Sequence, residues 1–149
     1  MKHSNSRSFA RLASVALLVI STVANADDHA FKEGVVFEVT SIRTVDGMFD
    51  DYLTWLAGPW KTFMEAQKKA GVIIDYEVAA TAPRRPSDPD LYLITTYKNL
   101  GAMDNLEEKT EAMSEKIFGG MQKANADAVG RGKMRTILGS EIVRKLDLK

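Results

Sequence analysis

VIIDYEVAATAPRRPSDPDLYLITTYKN, residues 72–99, is the stretch whose reading decides the fold. Residues 72–81 alternate as a strand, with Val72, Ile74, Tyr76 and Val78 on one face and Ile73, Asp75, Glu77 and Ala79 on the other. APRRPSDPD (82–90) then places three prolines in nine residues, which makes it a turn or loop. DLYLITTYKN (90–99) is again of strand type, and parity puts Tyr92 and Tyr97 on opposite faces. Strand, proline-rich loop and strand together form a hairpin, and everything on either side must pack onto it.

Toward the N-terminus lies a stretch with helical period. Phe49, Leu53, Leu56, Trp60, Phe63 and Ala70 step by threes and fours, with Gln67 taking one turn of the stripe. Asp46 is placed to cap this helix and Gly71 to stop it. Pro59 removes a backbone donor and crowds the carbonyl four residues back. The stripe nevertheless keeps its phase through Gly58-Pro59, so a kinked helix or two helical pieces end to end are expected. Trp60 lies within the stripe and reads as core. Trp55 falls beside it, which leaves half-burial, an interface or a pocket wall open. Upstream, GVVFEVTSIRTV (34–45) is rich in β-branched residues and reads as the first strand.

Toward the C-terminus, Asn99 can cap a second long helix on which Met103, Leu106, Met113, Ile117, Met121, Ala124 and Ala128 fall near helical spacing. Asp104, Glu107 and Glu108 suit the positive end of its dipole. Gly119-Gly120 is expected to weaken or bend it, since a glycine costs about 1 kcal/mol relative to alanine inside a helix. GRGK (130–133) ends the helix, and SEIVRKLDL (140–148) alternates as a closing strand.

The expected order is therefore strand, helix, strand, strand, helix, strand. This is an α+β, ferredoxin-like βαββαβ arrangement: a four-stranded antiparallel sheet with two helices on one face. The other face lacks helical cover and is partly apolar, the mark of a contact surface. The strand FEVTSIR, the run YLTWLAGPWKTFMEAQKKAGVIIDYEV, the segment YLITTYKNLGAMD and the end GSEIVRKLDL together resemble the dimeric α+β barrel superfamily, and most closely its small secreted bacterial members. The resemblance spans nearly the whole chain after residue 26. It implies a homodimer in which two open sheet faces meet. Relatives in that superfamily include cofactor-free monooxygenases, haem-degrading enzymes and stress-response proteins, so the fold alone selects no activity.

Residues 1–26 read as a secretory signal peptide. Lys2, Arg7 and Arg11 precede the apolar run LASVALLVISTV, and Ala24-Asn25-Ala26 offers a cleavage site after Ala26. The apolar run is shorter than the roughly 20 residues of a membrane span. A periplasmic or secreted chain, residues 27–149 forming one domain, is thus expected, without stable membrane insertion. Removing the leader takes three of the 20 basic residues and none of the 20 acidic ones, leaving 17 against 20 and a net charge of −3. That balance argues against a nucleic-acid partner. Cysteine is absent, so packing has to stabilise the fold without disulfides.

The residue types needed for familiar chemistry are scarce. His3 leaves with the leader and His29 sits in the N-terminal tail, so the body of the domain has no histidine. Haem-binding relatives use such a histidine, which makes haem ligation in that mode unexpected. No thiolate site, phosphate loop or histidine metal motif occurs, and neither a cofactor nor a metal is expected. Methionines 103, 113 and 121 lack the close pairing that soft-metal binding requires and read as core filler. Arg84 and Arg85 could meet a carboxylate but read as a solvated loop beside Asp88 and Asp90. Asp75 and Glu77 share a face, either as an acid and base pair or as surface charge matched by Arg43 or Arg144.

The candidate ligand-binding residues are Trp55, Asp75, Tyr76, Glu77, Tyr92 and Tyr97. The favoured expectation is a homodimer that binds a small hydrophobic or aromatic ligand. A cofactor-free oxygenase using Asp75 or Tyr76, or a partner-binding structural protein, are the alternatives, and whether the protein is an enzyme stays open.

Overall fold

The computed structural model describes residues 29–149; the expected leader, with its cleavage point after Ala26, lies outside them. The described residues form strands β1 (Phe31–Thr44), β2 (Asp75–Ala80), β3 (Leu91–Tyr97) and β4 (Arg135–Leu148). These make one antiparallel sheet in the order β2-β3-β1-β4. Between β1 and β2 run α1 (Phe49–Trp55), a wide turn Leu56–Trp60 and α2 (Lys61–Lys69). Between β3 and β4 come a single tight turn, Leu100–Met103, then α3 (Leu106–Phe118) and α4 (Met121–Arg131).

The pairing registers sort every strand residue onto a face. Ile42, Leu91 and Ala80 stand in one row, and Val36 pairs with Tyr97 on the same side. This side carries α1 and α2. Phe37 and Thr96, and likewise Val39, Ile94 and Glu77, stand on the opposite side, which no described helix covers. Two groups of buried side chains hold the helices to the sheet. Ile42, Tyr52, Leu56 and Leu91 form one; Val36, Met64, Ile73 and Tyr97 form the other. Trp60 packs against both, so the expected core role holds for this residue. Burial of each such apolar side chain is worth about 1.5–3 kcal/mol.

Several expected boundaries move, each for an identifiable reason. Asp46 does not cap α1: Val45 to Met48 close a turn with Gly47 at φ +80°, and the cap position is Met48, without a side-chain hydrogen bond. Pro59 and the non-helical Gly58 (φ −99°, ψ −105°) divide the first helical segment into two end-to-end pieces. Gly71, at φ +72°, does stop α2. The amide of Gly71 donates to the Lys68 carbonyl and that of Val72 to the Gln67 carbonyl, at 3.1 and 3.0 Å. This is the paired closure of a Schellman motif. It consumes residues 72–74, so β2 starts at Asp75 rather than 72, and Ile73 is buried while Ile74 is 46% exposed, opposite to the simple alternation.

The expected second helix is also interrupted. Asn99 accepts a hydrogen bond from the Ala102 amide at 2.9 Å, but it caps only the tight turn. Asn105 then turns left-handed (φ 55°), and α3 begins at Leu106. Gly119 and Gly120, both at positive φ, separate α3 from α4 rather than merely bending one helix. The order is thus βαββααβ, with three helical bodies in place of the two expected. α3 packs mainly on α2, where Phe63 and Phe118 meet edge to face at 5.3 Å, and α4 packs on α3.

β1 and β4 are both longer than the sequence pattern suggested, because they pair with each other almost end to end. Two register shifts let them do so. At the first, between Glu33 and Val36, a Cβ on Gly34 would lie 3.1 Å from the Lys145 Cβ and the Asp147 carboxylate, so glycine permits the close approach. Glu33 and Arg144 form an ion pair across the same place.

Candidate functional site

Lys61, Glu65 and Lys68 follow one another at intervals of four and three residues, so α2 presents them on a single face. That face meets the outer strand β2, where Asp75 and Tyr76 carry the polar groups. Leu53 of α1, Leu56 and Trp60 from the wide turn and Val78 of β2 supply apolar wall beneath them. These side chains line an open cleft of about 500 Å³. The break at Gly58-Pro59 has a direct role here, because it sets Trp60 against Tyr76 with ring centroids 5.3 Å apart and planes at 86°. An edge-to-face pair of this kind is a favoured aromatic geometry.

The rim is held by two polar links between α2 and β2. Tyr76 donates its hydroxyl proton to Glu65 Oε1 at 2.5 Å, and Lys68 Nζ donates to Asp75 Oδ1 at 2.7 Å. The hydrogen bond to Glu65, followed by burial and by the charges of Glu65 and Asp75, pushes the Tyr76 pKa up to about 12. Lys68 and the Tyr76 amide hold Asp75 below the usual carboxylate range, and Asp75 in turn raises Lys68. Tyr76 is therefore a neutral hydrogen-bonding phenol and Asp75 a paired carboxylate at ordinary pH. The cleft can hold an apolar or aromatic body and offer hydroxyl, carboxylate and ammonium groups at its edge.

The six expected site residues do not converge. Asp75 and Tyr76 line the cleft. Glu77 is exposed on the opposite sheet face, in the row of Ile94 and Val39. Tyr92 is on that face too, beside the hairpin loop in a separate groove with Thr81, Arg84, Arg85 and Asp88. Tyr97 is buried and donates to Glu38 at 3.0 Å, with burial first and Glu38 second raising its pKa. Its place is structural. Trp55 is half-buried, stacked on Tyr52 at 5.9 Å and 8°, with the Arg131 guanidinium 4.6 Å from its ring centre.

The charge partners also differ from expectation. Asp75 pairs with Lys68, Arg144 with Glu33, and Arg43 donates to the Asp88 carbonyl at 3.4 Å, so neither arginine serves the Asp75 and Glu77 pair. Arg85 pairs with Asp88 at 3.2 Å, as a solvated loop requires. Sequence reading missed Trp60, Glu65 and Lys68 as lining groups. The spacing of Lys61, Glu65 and Lys68 was a visible signal for one helix face, but nothing in it named β2 as the neighbour. Among the described residues, no cluster of three or more histidines, aspartates or glutamates could hold a metal ion, and no helix is long and apolar enough to cross a membrane. Comparison with protein-family models, curated proteins and solved structures finds no match to this chain.

Proposed function

We propose that this protein is a periplasmic or secreted homodimer of ferredoxin-like domains, of the dimeric α+β barrel type, that binds a small hydrophobic or aromatic ligand in the cleft between α1, α2 and β2. The observation that carries this reading is the corner formed by Trp60 and Tyr76 inside a volume of about 500 Å³. Small-molecule sites commonly occupy about 300–1,000 Å³ and join an apolar lining to a few placed polar groups. Binding without turnover fits the polar groups better than oxygenase chemistry does. A phenol with a pKa of about 12 is a poor base at neutral pH, and the Asp75 carboxylate is engaged by Lys68.

Support for a second copy comes from β4. It is a 14-residue strand on the edge of the sheet, and Ile137, Leu138, Ile142, Val143 and Leu146 are each 43–51% exposed. Long apolar edge strands are unstable surfaces in isolation and invite pairing.

Titration with naphthol, followed by tryptophan emission, tests the ligand site. Saturable quenching is expected, weakened by Trp60→Phe and by Tyr76→Ala but not by Tyr92→Ala. Absence of saturable quenching by neutral aromatics, or quenching indifferent to both cleft substitutions, rejects the cleft as the site.

A further inference from the structure

Trp60 also lines a second, smaller chamber of about 220 Å³, which it shares with Trp55, Phe63, Phe118, Ala124 and Arg131. An apolar cavity of about 150 Å³ is enough to hold benzene, so this chamber is on the scale of one substituted ring. Its charge sets it apart from the cleft. Arg131, at the end of α4, lies over Trp55; Trp55 stacks on Tyr52; and Arg135, at the start of β4, lies 5.6 Å over the Tyr52 ring and donates Nε to its hydroxyl at 3.0 Å. Two guanidinium groups thus flank a stack of two rings.

Neither arginine forms an ion pair with a carboxylate among the described residues. Asp127, one turn before Arg131, is close enough to act on it electrostatically but is bound to Lys123 at 3.0 Å. Arg131 Nε is the one buried side-chain nitrogen or oxygen among the described residues that lacks a hydrogen-bond partner. Burial first, and repulsion from Arg135 second, lower the Arg131 pKa, as happens to a cation short of a counter-charge. A guanidinium without a counter-charge is matched best by a carboxylate.

We propose that this chamber is a separate binding site for a small aromatic monocarboxylate, its ring enclosed by Trp55, Trp60, Phe63 and Phe118 and its carboxylate paired with the Arg131 guanidinium. The two sites share Trp60 and differ in charge, so a neutral ring and its carboxylic counterpart distinguish them.

The test uses para-fluorobenzoate and para-fluorobenzyl alcohol as probes, with binding to the purified protein read by fluorine NMR, which does not depend on tryptophan emission. The acid is expected to bind at least about tenfold more tightly than the alcohol. Arg131→Gln is expected to remove about that advantage, and Arg131→Lys, which keeps the charge but loses the fork, to restore only part of it. Ala124→Leu fills the chamber without touching the guanidinium and is expected to weaken acid binding while naphthol still quenches from the cleft. Equal binding of acid and alcohol, or no saturable binding of the acid, overturns the assignment. So does full affinity in either Arg131→Gln or Ala124→Leu. Loss of naphthol quenching with acid binding intact would reject the cleft and leave the chamber standing.

Discussion

The middle of the sheet and its β4 edge are treated in opposite ways. In the middle, alternate residues of β1 and β3 pass under α1 and α2, and Ile42, Leu91 and Tyr97 are at most 4% exposed. Toward β4, Ile142 stands in the row of Glu38 on the helix side of the sheet and Val143 in the row of Phe37 on the other, yet they are 49% and 44% exposed. α3 and α4 could have covered this edge but pack on α2 and on each other. A strand covered on one face needs apolar residues only at every second position. β4 carries them on both faces with neither covered, the composition on which the proposed second copy rests.

Truncating an isoleucine in each region should break or confirm that contrast most clearly. Ile42→Ala is expected to cost about 2–5 kcal/mol in urea unfolding, because its cavity lies between sheet and α1. Ile142→Ala, at a concentration low enough to keep the chain monomeric, should cost less than about 1 kcal/mol. Equal losses would mean that β4 is packed as tightly as the middle of the sheet and that the contrast is false.

A charge on the exposed edge should have the next largest effect. Val143→Lys is expected to weaken self-association by at least about tenfold, equivalent to about 1.4 kcal/mol, while leaving monomer stability almost unchanged. Sedimentation velocity across a concentration series measures it. A dimer indifferent to this substitution would place its interface elsewhere than β4.

The smallest effect sharpens the β2 side. The Tyr76 phenol has its pKa raised to about 12, so the fold favours its protonated form. Its contribution to stability is therefore complete below the ordinary phenol value of 10.0 and is lost as the pH rises toward about 12. Alkaline absorbance titration should show a step near pH 12 that disappears in Tyr76→Phe. In Glu65→Gln the step should move down, since the carboxylate that disfavours phenolate is gone. A Tyr76 step that stays in place in Glu65→Gln would show that the link between α2 and β2 does not set the phenol's acidity.

Much of this contrast could be read from residue spacing, and the exceptions share one cause. The hairpin, the strand at 34–45, the divided helix at Gly58-Pro59 and the stop at Gly71 all follow from local rules. The burial of Ile73 does not, because the Schellman closure uses residues 72–74 before the strand can begin. The split at Gly119-Gly120 was visible as a weakness, but its outcome depends on where α3 finds contact. Likewise, Trp60 was readable as core from its period; that it also faces two cavities depends on the backbone geometry at Gly58. The early start of β1 and the early start of β4 each require the other strand as partner, which no window along the chain contains. Site residues scattered for the same reason: parity separates Tyr92 from Tyr97 correctly, but it does not say which face receives the helices.

The pairing of β1 with β4 also has a consequence for how the chain must fold. Glu33 and Arg144 are 111 residues apart in the chain, and Thr40 and Ser140 are 100 apart, yet each pair is in contact. The hairpin of β2 and β3 can form from local sequence as soon as it is made, whereas β4 can join only after everything between has been synthesised. Contacts of such long range slow folding, because the loop must close before the ladder repays it. Until β4 has been made, the side of β1 that it pairs with has no neighbouring strand in this sheet.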